Sequence, residues 1–175
     1  MQIQIVPAAQ GHIDELEGLY NTLNDYLAQG VNYPGWVKGV YPTRADAERG
    51  LQQGGLYIAQ IAGAIAGTVI LNHRQEDAYY TVKWQADCDD TEAMVVHTLA
   101  VHPGYLHHGV GQALLDFAAQ HAKERKMRSL RLDVYVNNAP AIRLYEKNGY
   151  VCVGTVDMKL GYRGLDAFHL YELTL

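Results

Sequence analysis

Two glycines, Gly109 and Gly111, stand where the run His102-Pro103-Gly104-Tyr105-Leu106-His107-His108 gives way to an amphipathic stretch. Glycine adopts backbone angles closed to other residues and leaves no Cβ between main chain and ligand, and a helix start supplies N–H donors and positive partial charge. A pyrophosphate suits such a turn. The competing reading is a tight loop without a ligand, and a glycine pair by itself does not choose between them. The P-loop pattern GxxxxGK[ST] is absent, and the dinucleotide fingerprint GxGxxG would need glycine at 114, where Leu114 stands. Eight histidines raise metal chemistry, with His102, His107 and His108 clustered. There is no HExxH or Cys/His ligand spacing, and the adjacent pair is poorly placed for one ion, so no metal is expected. Cys88 and Cys152 show no CxxC spacing, which argues against redox or thiol-nucleophile chemistry.

The elements around this turn follow from periodicity. Residues 1–6 alternate as a strand, and Ile13, Leu16, Tyr20, Leu23 and Leu27 recur at helical spacing up to Gly30. Residues 31–42 mix turn formers with large aromatics and read as a binding-side loop. Thr43 can cap a short helix through Gln53, ended by Gly54-Gly55; strands at 56–61 and 64–72 are joined by the Ala62-Gly63 turn. Residues 73–91 read as a long connection holding one irregular strand. Residues 93–101 form a strand and 109–123 a helix with Val110, Ala113, Leu114, Phe117 and Ala118 on one face. At 130–136, Leu130, Leu132, Val134 and Val136 alternate with Arg131, Asp133 and Tyr135. A helix from Asn138 carries Pro140 in its first turn and stops at Asn148-Gly149, and strands at 150–158 and 168–173 close the chain. The order β, α, α, β, β, β, α, β, α, β, β is an α+β pattern, with no repeat and no linker dividing residues 1–175.

Composition narrows the partners. A chain of 175 residues, 49% hydrophobic and 19% charged, fills one core. The net charge of −5 provides no basic field for a nucleic acid, although a few oriented donors could still hold one phosphorylated small molecule. The ten residues MQIQIVPAAQ lack a basic region followed by an apolar run, and residues 56–72 have strand chemistry rather than that of a membrane span. A cytoplasmic protein with reduced cysteines and no membrane partner is expected.

The residues Leu99-Ala100-Val101-His102-Pro103, followed by Gly109-Val110-Gly111, match the L-x-V-x-P strand and [Q/R]-x-x-G-x-[G/A] turn of the GCN5-related N-acetyltransferase (GNAT) superfamily. The sequence resembles that family again at Asn138-Ala-Pro-Ala-Ile-Arg-Leu-Tyr-Glu-Lys-Asn-Gly-Tyr150, close to its signature N-x-x-A-x-x-L-Y-x-x-x-G-[F/Y]. Leu106 departs from the pattern, standing where the family has Gln or Arg. His107 and His108 either replace some of that charge or form a solvated loop tip.

The resemblance implies a mixed, mostly antiparallel sheet with helices on both faces and a splayed pair of parallel strands. It implies acetyl-CoA as acyl donor, bound by Leu99, Ala100, Val101, Leu106, His107, His108, Gly109, Val110, Gly111, Gln112 and Asn138. It also implies direct attack by a primary amine of a small molecule or peptide in a ternary complex, with the pantetheine arm pairing to the strand of Leu99 and Val101, one of whose N–H groups faces the thioester oxygen. Tyr145 falls at the signature tyrosine, the general acid of the family, although packing on a helix face would also suit it. Asn138 contacts the coenzyme or simply caps its helix.

The transfer needs a deprotonated amine as well as that acid. His97, two residues before Leu99, matches a histidine on the proton path of some members, or is a hydrogen-bonded core histidine. Glu92 could act through water or be an exposed carboxylate, and an exposed amine could lose its proton to solvent unaided. On the acceptor side, Trp36 and Tyr41, with Tyr33 beside them, and Tyr80 and Trp84, with Tyr79, could hold an amine by stacking or cation–π contact. The acidic residues Glu76, Asp77, Asp87, Asp89 and Asp90 would suit a cationic acceptor or merely solvate their loop. Leu106 motivates a rival reading, a weak or inactive acyl-CoA-binding regulatory protein of the same fold. The last strands leave room for a homodimer.

Overall fold

The computed structural model describes residues 2–175. Its elements run β1 (Gln4–Pro7), α1 (Ile13–Gln29), α2 (Arg44–Gln52), β2 (Leu56–Ile61), β3 (Ala64–Asn72), β4 (Ala93–Val101), α3 (Val110–Glu124), β5 (Ser129–Tyr135), α4 (Ala139–Lys147), β6 (Val151–Val156) and β7 (Phe168–Thr174). This is the expected order of strands and helices. The seven strands form one open sheet, ordered β1-β2-β3-β4-β5-β7-β6. It is mostly antiparallel, with β4 and β5 as the parallel pair. That parallel ladder joins Ala93 to Ser129, Met94 to Leu130 and Val95 to Arg131, and β4 runs on to Val101 beyond it.

The chain forms two compact units, with β4 contributing residues 96–101 to the first and 93–95 to the second. Among the described residues, the first comprises 2–32, 36–72 and 96–118. Its core is the apolar stripe of α1, in which Ile13, Leu16, Tyr20, Leu23 and Leu27 pack with Ala47, Leu56, Ile58, Ile65, Ile70 and Ala100. α2 starts where Asp46 accepts from both the N–H and the hydroxyl of Thr43, at 2.8 and 2.9 Å. Gly67 of β3 allows a close approach. A Cβ there would lie 2.8 Å from Val110 Cγ1 and 2.9 Å from the main-chain oxygen of Ala100, which has little freedom to move. The residue that admits the start of α3 beside the sheet is thus a strand glycine with no signal of its own in the sequence.

The second unit comprises residues 33–35, 73–95 and 119–175. β5 pairs with β7 from Ser129/Thr174 to Tyr135/Phe168, and β6 pairs with β7 across a bulge between Cys152 and Gly154. α4 ends as its sequence requires, with Gly149 at φ +81°.

One expectation is corrected: the irregular strand expected within 73–91 is a 3-10 helix at Asp77–Thr81. On β5, Arg131 is buried despite its charge. Among the described residues, no helix is long and apolar enough to cross a membrane.

Candidate functional site

The turn ahead of α3 belongs to the first unit. β4 ends at Val101, the His102 N–H donates to Ala66 O at 2.9 Å, and His102 Nδ1 accepts from the Gly104 N–H at 3.0 Å to cap a short 3-10 turn at Pro103–Tyr105. The chain then turns left-handed twice, at His107 (φ +64°) and Gly109 (φ +81°). Only one of the two glycines is therefore used for its conformational freedom. Gly111 lies in the first turn of α3 and is not left-handed, and the second left-handed residue is His107. Helical bonding starts where the Ala113 N–H donates to Gly109 O at 2.9 Å, so the N–H groups of Val110, Gly111 and Gln112 precede the helical ladder. A Cβ at Gly109 would meet nothing within 4 Å, and His107, His108 and Gly109 are exposed. Open space beside the N-terminus of a 15-residue helix fits a pyrophosphate. Val110 and Ala100 are buried.

Upstream on β4, His97 and Thr98 are each tied to another element of the same unit. His97 Nε2 donates to Asn72 Oδ1 at 2.9 Å, and Asn72 Nδ2 donates to Gln53 Oε1 at 3.2 Å. With the amide nitrogen turned toward Gln53, Asn72 presents oxygen to the imidazole, so Nε2 carries the proton and Nδ1 is the basic nitrogen of the neutral ring. Thr98 is left-handed, at φ +48° in mid-strand, and its hydroxyl shares a 2.5 Å hydrogen bond with that of Tyr41. Leu99 and Val101 are half-buried and Ala100 is buried. Trp36 stands edge-on to Tyr41, with ring centroids 5.5 Å apart.

The remaining candidates lie in the second unit. Asn138 caps α4, its Oδ1 accepting from the Ala141 N–H at 3.4 Å. Tyr145 is 8% exposed in an aromatic cluster, 5.9 Å from the ring of Tyr150 and 6.3 Å from that of Tyr171. Burial, then the bond from its hydroxyl to Glu146 Oε1 at 2.8 Å, pushes the Tyr171 phenol above its ordinary range. Glu92 is half-exposed, accepts from the Asp89 N–H at 3.3 Å and lies 3.8 Å from Arg128. The exposed Tyr80 donates to Asp90 at 2.5 Å, a bond that raises its pKa.

Trp84 and Tyr79 pack on one another, with ring centroids 5.3 Å apart. Tyr79 is fully buried and donates to Asp133 Oδ1 at 2.7 Å, while Trp84 Nε1 donates to Tyr79 O at 2.9 Å. Burial, followed by Asp133, drives the Tyr79 pKa well up; burial likewise raises that of Asp133. The Arg131 guanidinium lies 4.4 Å over the Trp84 ring and bonds to Ser129 Oγ at 3.1 Å and Gln75 Oε1 at 3.3 Å. Its counter-charge is the fully buried Glu172, with Arg131 Nε 3.9 Å from Oε1. Glu172 also accepts from Ser129 Oγ and the Gln85 N–H, each at 2.5 Å, and from the Ala86 N–H at 3.3 Å. This network ties the 73–91 connection to β5 and β7. Among the described residues, no three His, Cys, Asp or Glu side chains are grouped so as to hold a metal ion.

Sequence reasoning missed Gly67, Asn72 and the conformation of Thr98. Asn72 ends a strand like many other polar residues, and a threonine between apolar neighbours reads as ordinary extended backbone.

The comparisons with known proteins agree with this arrangement. The acetyltransferase (GNAT) family matches residues 17–150. An uncharacterized N-acetyltransferase of Methanocaldococcus jannaschii, MJ1207, is 27% identical over 96 residues, which are 55% of this chain and 38% of that protein. The chain thus spans well under half the length of that relative. A GNAT-family acetyltransferase of Streptococcus agalactiae shares the fold with a TM-score of 0.79 at 19% identity, over 99% of this chain and 95% of its own. The structure of yncA from Salmonella typhimurium, which contains its cofactor acetyl-CoA, matches with a TM-score of 0.70 at 16% identity, over 99% and 94% of the two chains. With its turn, its strand order and a family match over most of its length, the chain belongs to the GNAT acetyltransferase family.

Proposed function

We propose that residues 1–175 act as one cytoplasmic N-acetyltransferase domain that transfers an acetyl group from acetyl-CoA to a primary amine of a small molecule or peptide by direct attack in a ternary complex. The observation that carries this reading is the left-handed turn at His107 and Gly109, open at Gly109 and leading into α3, in the segment that matches the family's turn. The main-chain N–H groups of residues 109–112 would hold the pyrophosphate. Donors of this kind suffice where Leu106 replaces the usual polar side chain. Acetyl-CoA supplies an activated acyl group as a thioester.

The chain's own residues have three tasks. An N–H of β4, at Leu99 or Val101, polarises the thioester oxygen as it gains negative charge. His97 Nδ1, made the basic nitrogen by Asn72, takes the proton of the attacking amine. Glu92 is the weaker choice, because its carboxylate closes a turn at Asp89 and faces Arg128. Tyr145 returns a proton to the departing thiolate; its place in the Asn138–Tyr150 signature and its aromatic, water-poor surroundings support that role. Trp36 contributes to the acceptor side.

The test is release of free thiol from acetyl-CoA in the presence of a panel of amines, polyamines and peptides, with calorimetric binding of coenzyme A alongside. Turnover on at least one amine is expected. Binding without turnover on any of them would favour the regulatory reading. Gly109→Val, forced to a φ that a β-branched residue resists, should lose at least about 100-fold in coenzyme affinity; unchanged binding would remove the turn from the site.

A further inference from the structure

Thr98 stands in a strand with the backbone of a left-handed turn. A β-branched residue at φ +48° in a strand costs about 1–3 kcal/mol and persists only where surrounding contacts over-determine it. The Thr98 side chain is buried, and its hydroxyl meets that of Tyr41. Tyr41 is in turn held from several sides. Its carbonyl accepts from Nδ2 of the buried Asn24 at 3.3 Å, its N–H donates to Val37 O at 3.0 Å, and its ring stands against Trp36. Trp36 is bracketed by Asn32, which accepts from its N–H at 3.1 Å and donates to its carbonyl at 2.7 Å. The hydroxyl that reaches Thr98 therefore projects from a fixed frame.

Thr98 separates His97 from Leu99. Were it to relax to extended backbone, the peptide between residues 98 and 99 would rotate, and the Leu99 N–H would turn relative to the His97 ring. We propose that Tyr41 is a positioning residue whose hydroxyl locks Thr98 in the left-handed conformation and so sets Leu99 and His97 in the geometry of acyl transfer. The inference rests on the acetyltransferase reading above. It reassigns the Tyr41 hydroxyl, which acts through Thr98 rather than on the acceptor amine.

The test is a double-mutant cycle on the full chain, with kcat, amine KM and coenzyme Kd measured for wild type, Tyr41→Phe, Thr98→Gly and the double variant. Tyr41→Phe should lower kcat by roughly 10- to 100-fold, with amine KM and coenzyme Kd changed by less than about threefold, as expected of misplaced groups rather than lost binding. In the Thr98→Gly background the left-handed conformation needs no external lock, so adding Tyr41→Phe should lower kcat by less than about threefold. Thr98→Ser, which keeps the hydroxyl, should remain sensitive to Tyr41→Phe.

A rise in amine KM at constant kcat would make Tyr41 an acceptor-binding residue and overturn the proposal. So would equal losses in the Thr98 and Thr98→Gly backgrounds, which would reduce the bond to a fold contact. If Tyr41→Phe does not fold, Thr98→Val and Thr98→Ser replace it: a kcat loss in the former well beyond the latter supports the lock, and equal values overturn it. A wild type silent on every amine overturns the acetyltransferase reading and this inference together; an active wild type with an undiminished Tyr41→Phe variant overturns this inference alone.

Discussion

Two stretches of chain outside the regular elements carry large aromatic residues, 36–42 in the first unit and 73–91 in the second, and the fold uses them differently. In the first, Trp36 is partly buried and Tyr41 sends its hydroxyl to the left-handed residue of β4. In the second, the phenol of Tyr79 bonds to Asp133, and the indole of Trp84 is covered by Arg131 and bonded to a main-chain carbonyl. Both stretches have the composition of a binding loop. What separates them is the partner of each polar tip. In the second stretch the tips end on a carboxylate and a main-chain carbonyl, and in the first the Tyr41 hydroxyl ends on the left-handed Thr98.

The largest effect that would sharpen this contrast is expected at Glu172. Glu172→Ala strips the buried Arg131 of its counter-charge and leaves two main-chain N–H groups without an acceptor, at a cost of about 3–5 kcal/mol. For a chain of this size that lowers Tm by roughly 6–20 °C in a thermal melt, and a shift of under about 3 °C would show that the 73–91 connection is held elsewhere.

Trp84→Ala should cost about 3 kcal/mol of stability while leaving the amine KM where it was. A tenfold rise in KM with an unchanged melt would return Trp84 to the acceptor side and dissolve the contrast. Trp36→Phe should do the reverse, raising amine KM by roughly tenfold with a smaller shift in Tm, because an indole face holds a cation better than a phenyl ring. Steady-state kinetics beside a melt of the same sample decides which of the two measures moves.

The smallest effect is a pH dependence at Asp133. Burial raises its folded pKa above the ordinary 3.8, so the folded chain keeps that proton where the unfolded chain has released it. Stability therefore falls as pH rises from below 3.8 through the folded value. Asp133→Asn keeps an acceptor for Tyr79 and should flatten this part of a urea-unfolding series run between acid and neutral pH. A slope that survives the substitution would assign the dependence to another group.

The order of strands and helices, the turn ahead of α3 and both family segments were legible in the sequence, because each depends on neighbours in the chain. Apolar spacing sets α1, Thr43 and Asp46 start α2, and Gly149 must be left-handed wherever its helix packs. The tertiary structure alone decided which glycine of the pair turns the chain at Gly109, that Gly67 leaves room for Val110, and that Arg131 is a buried cation rather than the polar side of a strand. It also decided that Asn72 Oδ1 meets the His97 ring and that Thr98, away from the extended conformation, bonds to Tyr41. These features depend on groups 25 to 57 residues apart in sequence. Local propensity does not reach that far, and only close packing brings such partners within hydrogen-bonding distance.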